Sequence, residues 1–381
     1  MEPNMVGAYG EWLSGKVLGD GPADMSFRSG KYRTLKAWRK AARARVVECI
    51  APVDLGETPE ARTDAAGTYE GLYVEKLSWQ LPCGPRTEAV FMRPEGARGK
   101  LPGILGLHDH GGNKFLGWRK ICRVDMEPWR IQREHQEHYY GGVGWATEIA
   151  KRGYAVLVHD TFPFASRRVR VSEVSEPVRR DGVDPEPEDA AGIEKYNAFA
   201  GMHEHIMEKS LLSAGTTWPG VYVTEDMRAL DVLCSRPEVD AGRVGCGGLS
   251  GGGMRTVYLA GLDERIKCAV CVGFMTTWRD FVLYKCWTHT WMAYAPLLPR
   301  RLDFPEILAL RAPAATMVQN TTDDQLYTLS EVKRAFEMIR ETFEKGGCGD
   351  KFRSELYPGP HKFDLEMQKD AFEWFDAHLR G

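Results

Sequence analysis

Ser250 lies in the run Val244-Gly245-Cys246-Gly247-Gly248-Leu249-Ser250-Gly251-Gly252-Gly253. Gly248-x-Ser250-x-Gly252 stands directly after a predicted strand and directly before a predicted helix, the context a nucleophile elbow requires. A serine on such a tight turn is lifted out of its sheet. Glycines flank it because larger side chains would collide with the strand and helix on either side. The turn also puts the Gly251 amide at a helix N-terminus, where it can stabilise a developing oxyanion. A phosphate-binding loop is the nearest rival, but its Lys-Ser/Thr pair is missing. A serine hydroxyl is a poor nucleophile at neutral pH and needs a histidine base, itself oriented by an acid.

The elements that must position these groups are legible as alternating strands and helices. Residues 73–79 partly alternate, as a half-buried strand does, and residues 88–92 follow the turn at Gly84-Pro85 as a second strand. Short apolar strands follow at 104–107, 155–158, 243–247, 267–274, 314–318 and 352–357. Between them come predicted helices at 145–152 (ended by Gly153), 226–234, 254–260, 332–343 and 366–379. This rhythm implies a mostly parallel sheet with helices on both faces. Residues 31–50 read as a basic helix with Leu35, Trp38 and Ala42 at helical spacing, so residues 1–68 form a helical N-terminal extension and residues 69–381 the main α/β domain. Two long irregular insertions interrupt it. One, at about 161–222, is rich in Pro, Arg and Glu. The other, at about 275–312, carries Trp278, Phe281, Tyr284, Trp287, Trp291 and Tyr294. Both are candidates for the wall or lid of a pocket.

Three further pieces carry a family resemblance. They are Leu107-His108-Asp109-His110-Gly111-Gly112 after an early strand, Arg236-Pro237-Glu238-Val239-Asp240 running into the elbow, and Gly359-Pro360-His361 near the end. Over about residues 70–380 the chain resembles the α/β-hydrolase superfamily, and within it the dienelactone-hydrolase-like and acetyl-xylan-esterase-like group. The resemblance implies an α/β-hydrolase fold and a triad in the chain order Ser, acid, His, each on a loop after a strand. His289 lies in the aromatic insertion, before the next core strand. His361 follows Glu355-Leu356-Tyr357-Pro358 and precedes the last helix, where the base belongs. Asp323 and Asp324 both follow the strand at 314–318. Asp324-Gln325-Leu326-Tyr327 is the better match to the family pattern, so Asp324 is the expected acid. The second oxyanion donor implied by the resemblance is an amide in the 107–112 loop, and by register it is that of His110. Asp109 stands where the family has glycine. It is read either as a structural hydrogen-bonding group or as a carboxylate near the substrate. A metal held by His108, Asp109 and His110 would need ligands from elsewhere.

Composition narrows the partners. The net charge is −3, with 50 basic and 53 acidic residues, which argues against nucleic acid or an anionic membrane as the main partner. No apolar run reaches bilayer-spanning length. The start, Met1-Glu2-Pro3-Asn4 with Glu11, Lys16 and Asp20 after it, lacks the apolar core of a secretory signal. Nine scattered cysteines fit buried thiols in a reducing cytoplasm better than a disulfide framework. Cys268 and Cys271 have redox spacing, but on a strand positions three apart face opposite ways. The expectation is therefore a cytoplasmic serine esterase that needs neither cofactor nor metal and takes a small-molecule ester. The resemblance alone favours a small acyl group. Cleavage of an amide or carbon–carbon bond by the same triad, or a non-catalytic binding protein on this fold, are the alternatives. The aromatic insertion suits a pocket wall, a lid or a contact in a homo-oligomer.

Overall fold

The computed structural model describes residues 3–19 and 21–380; Met1, Glu2, Asp20 and Gly381 lie outside them. Nine strands form one sheet: β1 (Arg62–Tyr69), β2 (Leu72–Trp79), β3 (Thr87–Pro94), β4 (Leu101–Gly106), β5 (Ala155–His159), β6 (Val239–Leu249), β7 (Ile266–Val272), β8 (Ala315–Thr321) and β9 (Phe352–Tyr357). Their spatial order is β1-β2-β3-β5-β4-β6-β7-β8-β9. The first pairings, through β3 against β5, are antiparallel; from β5 through β9 every pairing is parallel. This is the α/β-hydrolase architecture the motifs imply. β1 starts at Arg62, so the sheet begins ahead of the boundary expected at 69. Its sequence hid it, because all but Tyr69 of that edge strand is exposed and carries no apolar alternation.

The longer helices are α1 (Leu35–Ile50), α2 (Arg130–Tyr140), α3 (Trp145–Lys151), α5 (Ala190–Ser213), α6 (Trp218–Ser235), α7 (Gly251–Leu262), α10 (Leu329–Lys345) and α11 (Leu365–Phe375). Short ones are α4 (Glu176–Arg179), α8 (Trp278–Asp280) and α9 (Phe304–Ala309). Strands β4, β5, β7 and β8 are buried along nearly their whole length, on both faces, whereas β6 is buried without interruption only from Val244 onward. On β7, Cys268, Val270 and Val272 pack with α3 and α11, while Cys271 packs on the opposite face with residues of α7 and α10. All nine cysteines are free thiols. Among the described residues no helix is long and apolar enough to cross a membrane.

The first insertion departs from the expectation of irregular chain. It contains α5, a helix of 24 residues, and residues 218–222 already belong to α6. Asp189 caps α5 by accepting the Gly192 amide at 2.9 Å. His203, Glu204 and Glu208 stand at buried positions of α5, interrupting the apolar stripe that periodicity looks for. The second insertion is a chain of short 3₁₀ and π turns, as expected, ended by α9.

Candidate active site

The expected site residues lie on loops that follow the carboxyl ends of β4, β6, β8 and β9, where open α/β sheets bind ligands. Ser250 directly follows β6 and caps α7. Its φ of 82° and ψ of −105° lie outside the regions open to ordinary side chains. The strain is held by two bonds: the Ser250 amide donates to the Val272 carbonyl at 2.8 Å, and the Met254 amide donates to the Ser250 carbonyl at 2.8 Å. A Cβ on Gly248 or Gly252 would run into the carbonyl of Leu107. The two elbow glycines are thus what lets the β4 loop close over the start of α7.

Asp324 and His361 meet across the ends of β8 and β9. The Asp324 Oδ2 lies 2.6 Å from His361 Nδ1, and its Oδ1 accepts the Leu326 amide at 2.9 Å. Asp323 faces away and ties two loops together: its Oδ2 accepts the Gly359 amide at 2.9 Å, and its own amide donates to the Gly359 carbonyl at 3.1 Å. The His361 ring lies against Gly273, the residue after β7, where an added Cβ would be 2.8 Å from Cε1. Val272, which accepts the Ser250 amide, immediately precedes it, so His361 and Ser250 flank the same turn. The His361 Nε2 is buried and has no hydrogen-bond partner within the protein. His378 meets Trp374 edge-on in the last turn and takes no part in this cluster.

The His110 amide lies beside the start of α7: a Cβ on Gly251 would sit 2.8 Å from its nitrogen. The two amides expected to face an oxyanion are therefore neighbours. Side chains of the same loop diverge. His108 is fully buried, its Nδ1 3.1 Å from the Asp109 carbonyl. His110 turns its Nε2 to Glu204 of α5 at 2.6 Å. Asp109, left open between two roles, is a buried structural carboxylate. It accepts from Tyr140 and from His135 Nε2 at 3.2 Å, both on α2, and faces Lys120 Nζ at 3.9 Å. Burial pushes the Asp109 carboxyl up, but His135 and Lys120 outweigh it and hold it ionised well below the usual carboxylate range.

Several participants carry no motif. Glu204 gathers His110, the Lys114 ammonium, the Thr290 hydroxyl at 2.8 Å and the Trp291 amide at 3.0 Å. It thereby ties the β4 loop to both insertions. Burial opposes its ionisation, but His110 and Lys114 keep it far below the usual range. His289, set aside as the base, nevertheless packs near it, with its ring 4.9 Å from Tyr327 and 4.7 Å from Phe281. Burial and the neighbouring His361 pull it down to about 3. The aromatics of the second insertion divide. Trp278 and Phe281 are buried, the first stacked on Phe304 and the second edge-on to it, whereas Trp287 is 75% exposed. The buried aromatics form a wall behind His289; no earlier signal separated them from the exposed ones.

Known proteins resemble the chain in both sequence and fold. A model of the prolyl oligopeptidase family matches residues 208–344, a span that holds Ser250 and Asp324 but stops short of His361. YtaP of Bacillus subtilis, a protein assigned as a hydrolase, is 25% identical over 333 residues, which cover 85% of this chain and 96% of YtaP. A Bacteroides fragilis protein assigned as an acetyl xylan esterase superposes with a TM-score of 0.67 at 17% identity, covering 90% of this chain and 80% of its own. A glucuronoyl esterase from Solibacter usitatus superposes with a TM-score of 0.62, also at 17% identity, over 94% of this chain and 97% of its own. With a sheet of this order and a strained serine between β6 and α7, the chain has the α/β-hydrolase fold.

Proposed function

We propose that the protein is a serine ester hydrolase working through Ser250, His361 and Asp324. The observation that carries this reading is the 2.6 Å Asp324–His361 pair, whose free Nε2 stands at the turn that also holds the strained Ser250. Ser250 Oγ attacks the acyl carbonyl while His361 Nε2 takes its proton. Asp324 holds the imidazole with Nδ1 protonated and stabilises the imidazolium. The amides of Gly251 and His110 bind the oxyanion. His361 then gives the proton to the leaving alcohol, and water hydrolyses the acyl-enzyme by the same steps in reverse order of roles. The names of the structural relatives, acetyl xylan esterase and glucuronoyl esterase, support an ester as substrate, and the first of them a small acyl group such as acetyl. Ser250→Ala should lower kcat on p-nitrophenyl acetate by about 10,000-fold or more; full activity in that variant would refute the reading. The match to the prolyl oligopeptidase family favours one second reading, amide cleavage by the same triad. Comparing kcat/KM for acetate esters and short peptides decides between them.

A further inference from the structure

Lys120 is fully buried, on a short 3₁₀ turn over Trp118–Lys120, and no motif points to it. Its ammonium donates to the Asp109 carbonyl at 2.7 Å and to the His110 carbonyl at 2.8 Å. The Asp109 carbonyl belongs to the same peptide unit as the His110 N–H. In a trans peptide the C=O and N–H point in opposite directions. An anchor on that carbonyl therefore fixes where the N–H points, and its nitrogen lies beside Gly251, the residue that follows Ser250. Among the described residues the His110 N–H has no acceptor of its own. The same carbonyl also faces His108 Nδ1 at 3.1 Å; burial holds that imidazole neutral, so its N–H adds a second donor.

We propose that Lys120 is a positioning residue of the oxyanion hole, holding the Asp109–His110 peptide with its N–H toward Ser250 and polarising that N–H through the carbonyl. This rests on the reading of Ser250 as nucleophile. A cation on a peptide carbonyl strengthens the donor at the other end of the unit, because linked hydrogen bonds polarise one another. The effect is largest when a full negative charge develops on the substrate oxygen, so it belongs to the transition state rather than to substrate binding.

The setting of Lys120 makes the idea testable by pH. Burial pulls its ammonium down to about 7, against the Asp109 carboxylate, which holds the proton on. Lys114 and Arg255 also push it down, Asp160 pulls it up, and the face of Phe164 covers it at 4.4 Å. Loss of this proton weakens the hole, so kcat should decline as pH rises through that range.

The test compares wild type with Lys120→Met on p-nitrophenyl acetate across pH. The variant should lose about 10- to 100-fold in kcat, with KM changed less than about twofold, and its profile should lack the alkaline decline. A folded variant with wild-type kcat, or one that loses kcat but keeps the decline, overturns the proposal. If the variant does not fold, wild type is titrated with a trifluoromethyl ketone, whose adduct places an oxyanion in the hole. Affinity that weakens as Lys120 deprotonates supports the proposal, and affinity unchanged through that range overturns it. Labelling of wild-type Ser250 by a fluorophosphonate separates the two claims. Absence of labelling refutes the nucleophile reading itself; labelling together with a pH-insensitive role for Lys120 refutes only this inference.

Discussion

Asp323 and Asp324 are adjacent, alike in chemistry and placed after the same strand, yet they do different things. Asp324 turns to His361 Nδ1, while Asp323 fastens the Gly359 turn that carries His361. Asp324→Asn should lower kcat by about 10,000-fold, since an amide can hold the imidazole in the wrong tautomer. Asp323→Asn keeps an oxygen for the Gly359 amide and should change kcat by less than about tenfold. Steady-state kinetics of the two variants on one ester checks this directly, and equal losses would contradict the assignment. At this scale Ser250, His361 and the pair of aspartates were legible, because elbow chemistry demands particular residue types at particular strand ends. Asp109 was not. Its partners His135 and Tyr140 sit on α2, distant in sequence, and Lys120 lies in a stretch without any pattern.

The elements meet at glycines. Gly252 lies in the first turn of α7, pressed against the Leu107 carbonyl at the end of β4, and has no room for a side chain. A single methyl there forces the loop carrying His110 away from the helix carrying Gly251. Gly252→Ala should cost about 1–3 kcal/mol by overpacking and should lower kcat together with Tm, since it separates the two oxyanion amides. Thermal unfolding and kinetics measured side by side test it; an unchanged kcat would show that the spacing of α7 from the β4 loop does not matter. Strands buried on both faces announced themselves as apolar runs, and the helices α10 and α11 as amphipathic ones. Elements whose character is set by tertiary contact did not. β1 is an exposed edge strand, and α5 keeps Glu204 and Glu208 buried where a periodic reading expects apolar residues.

Across the whole molecule, buried charge joins what sheet topology alone leaves separate. Glu204 connects the β4 loop, the first insertion and the second, and Asp109 connects that loop to α2. Both carboxyls are held below their ordinary value in the folded chain, despite burial, by the cations and imidazoles facing them. Unfolded, they would take up protons near pH 4. Their contribution to stability is therefore complete above that pH and is lost as pH falls toward the folded values. Glu204→Gln should lower Tm at neutral pH, leaving Lys114 buried without its counter-charge, an effect of about 3–5 kcal/mol if the pair is broken outright. The gap in Tm between the variant and wild type should close as pH is lowered from about 5 toward 2. A gap independent of pH would mean that Glu204 acts by shape alone. None of this network could be read from composition, because the net charge of −3 says nothing about which charges are buried together.

On the proposed reading, Ser250 is a nucleophile activated by His361. Treating the folded protein with a fluorophosphonate and mapping the modified peptide by mass spectrometry tests it most directly. One adduct is expected, on Ser250, formed quickly in wild type, slowly in Asp324→Asn, and accompanied by loss of p-nitrophenyl acetate hydrolysis. An unmodified Ser250 in correctly folded protein, or an adduct on another serine that abolishes activity, would contradict it.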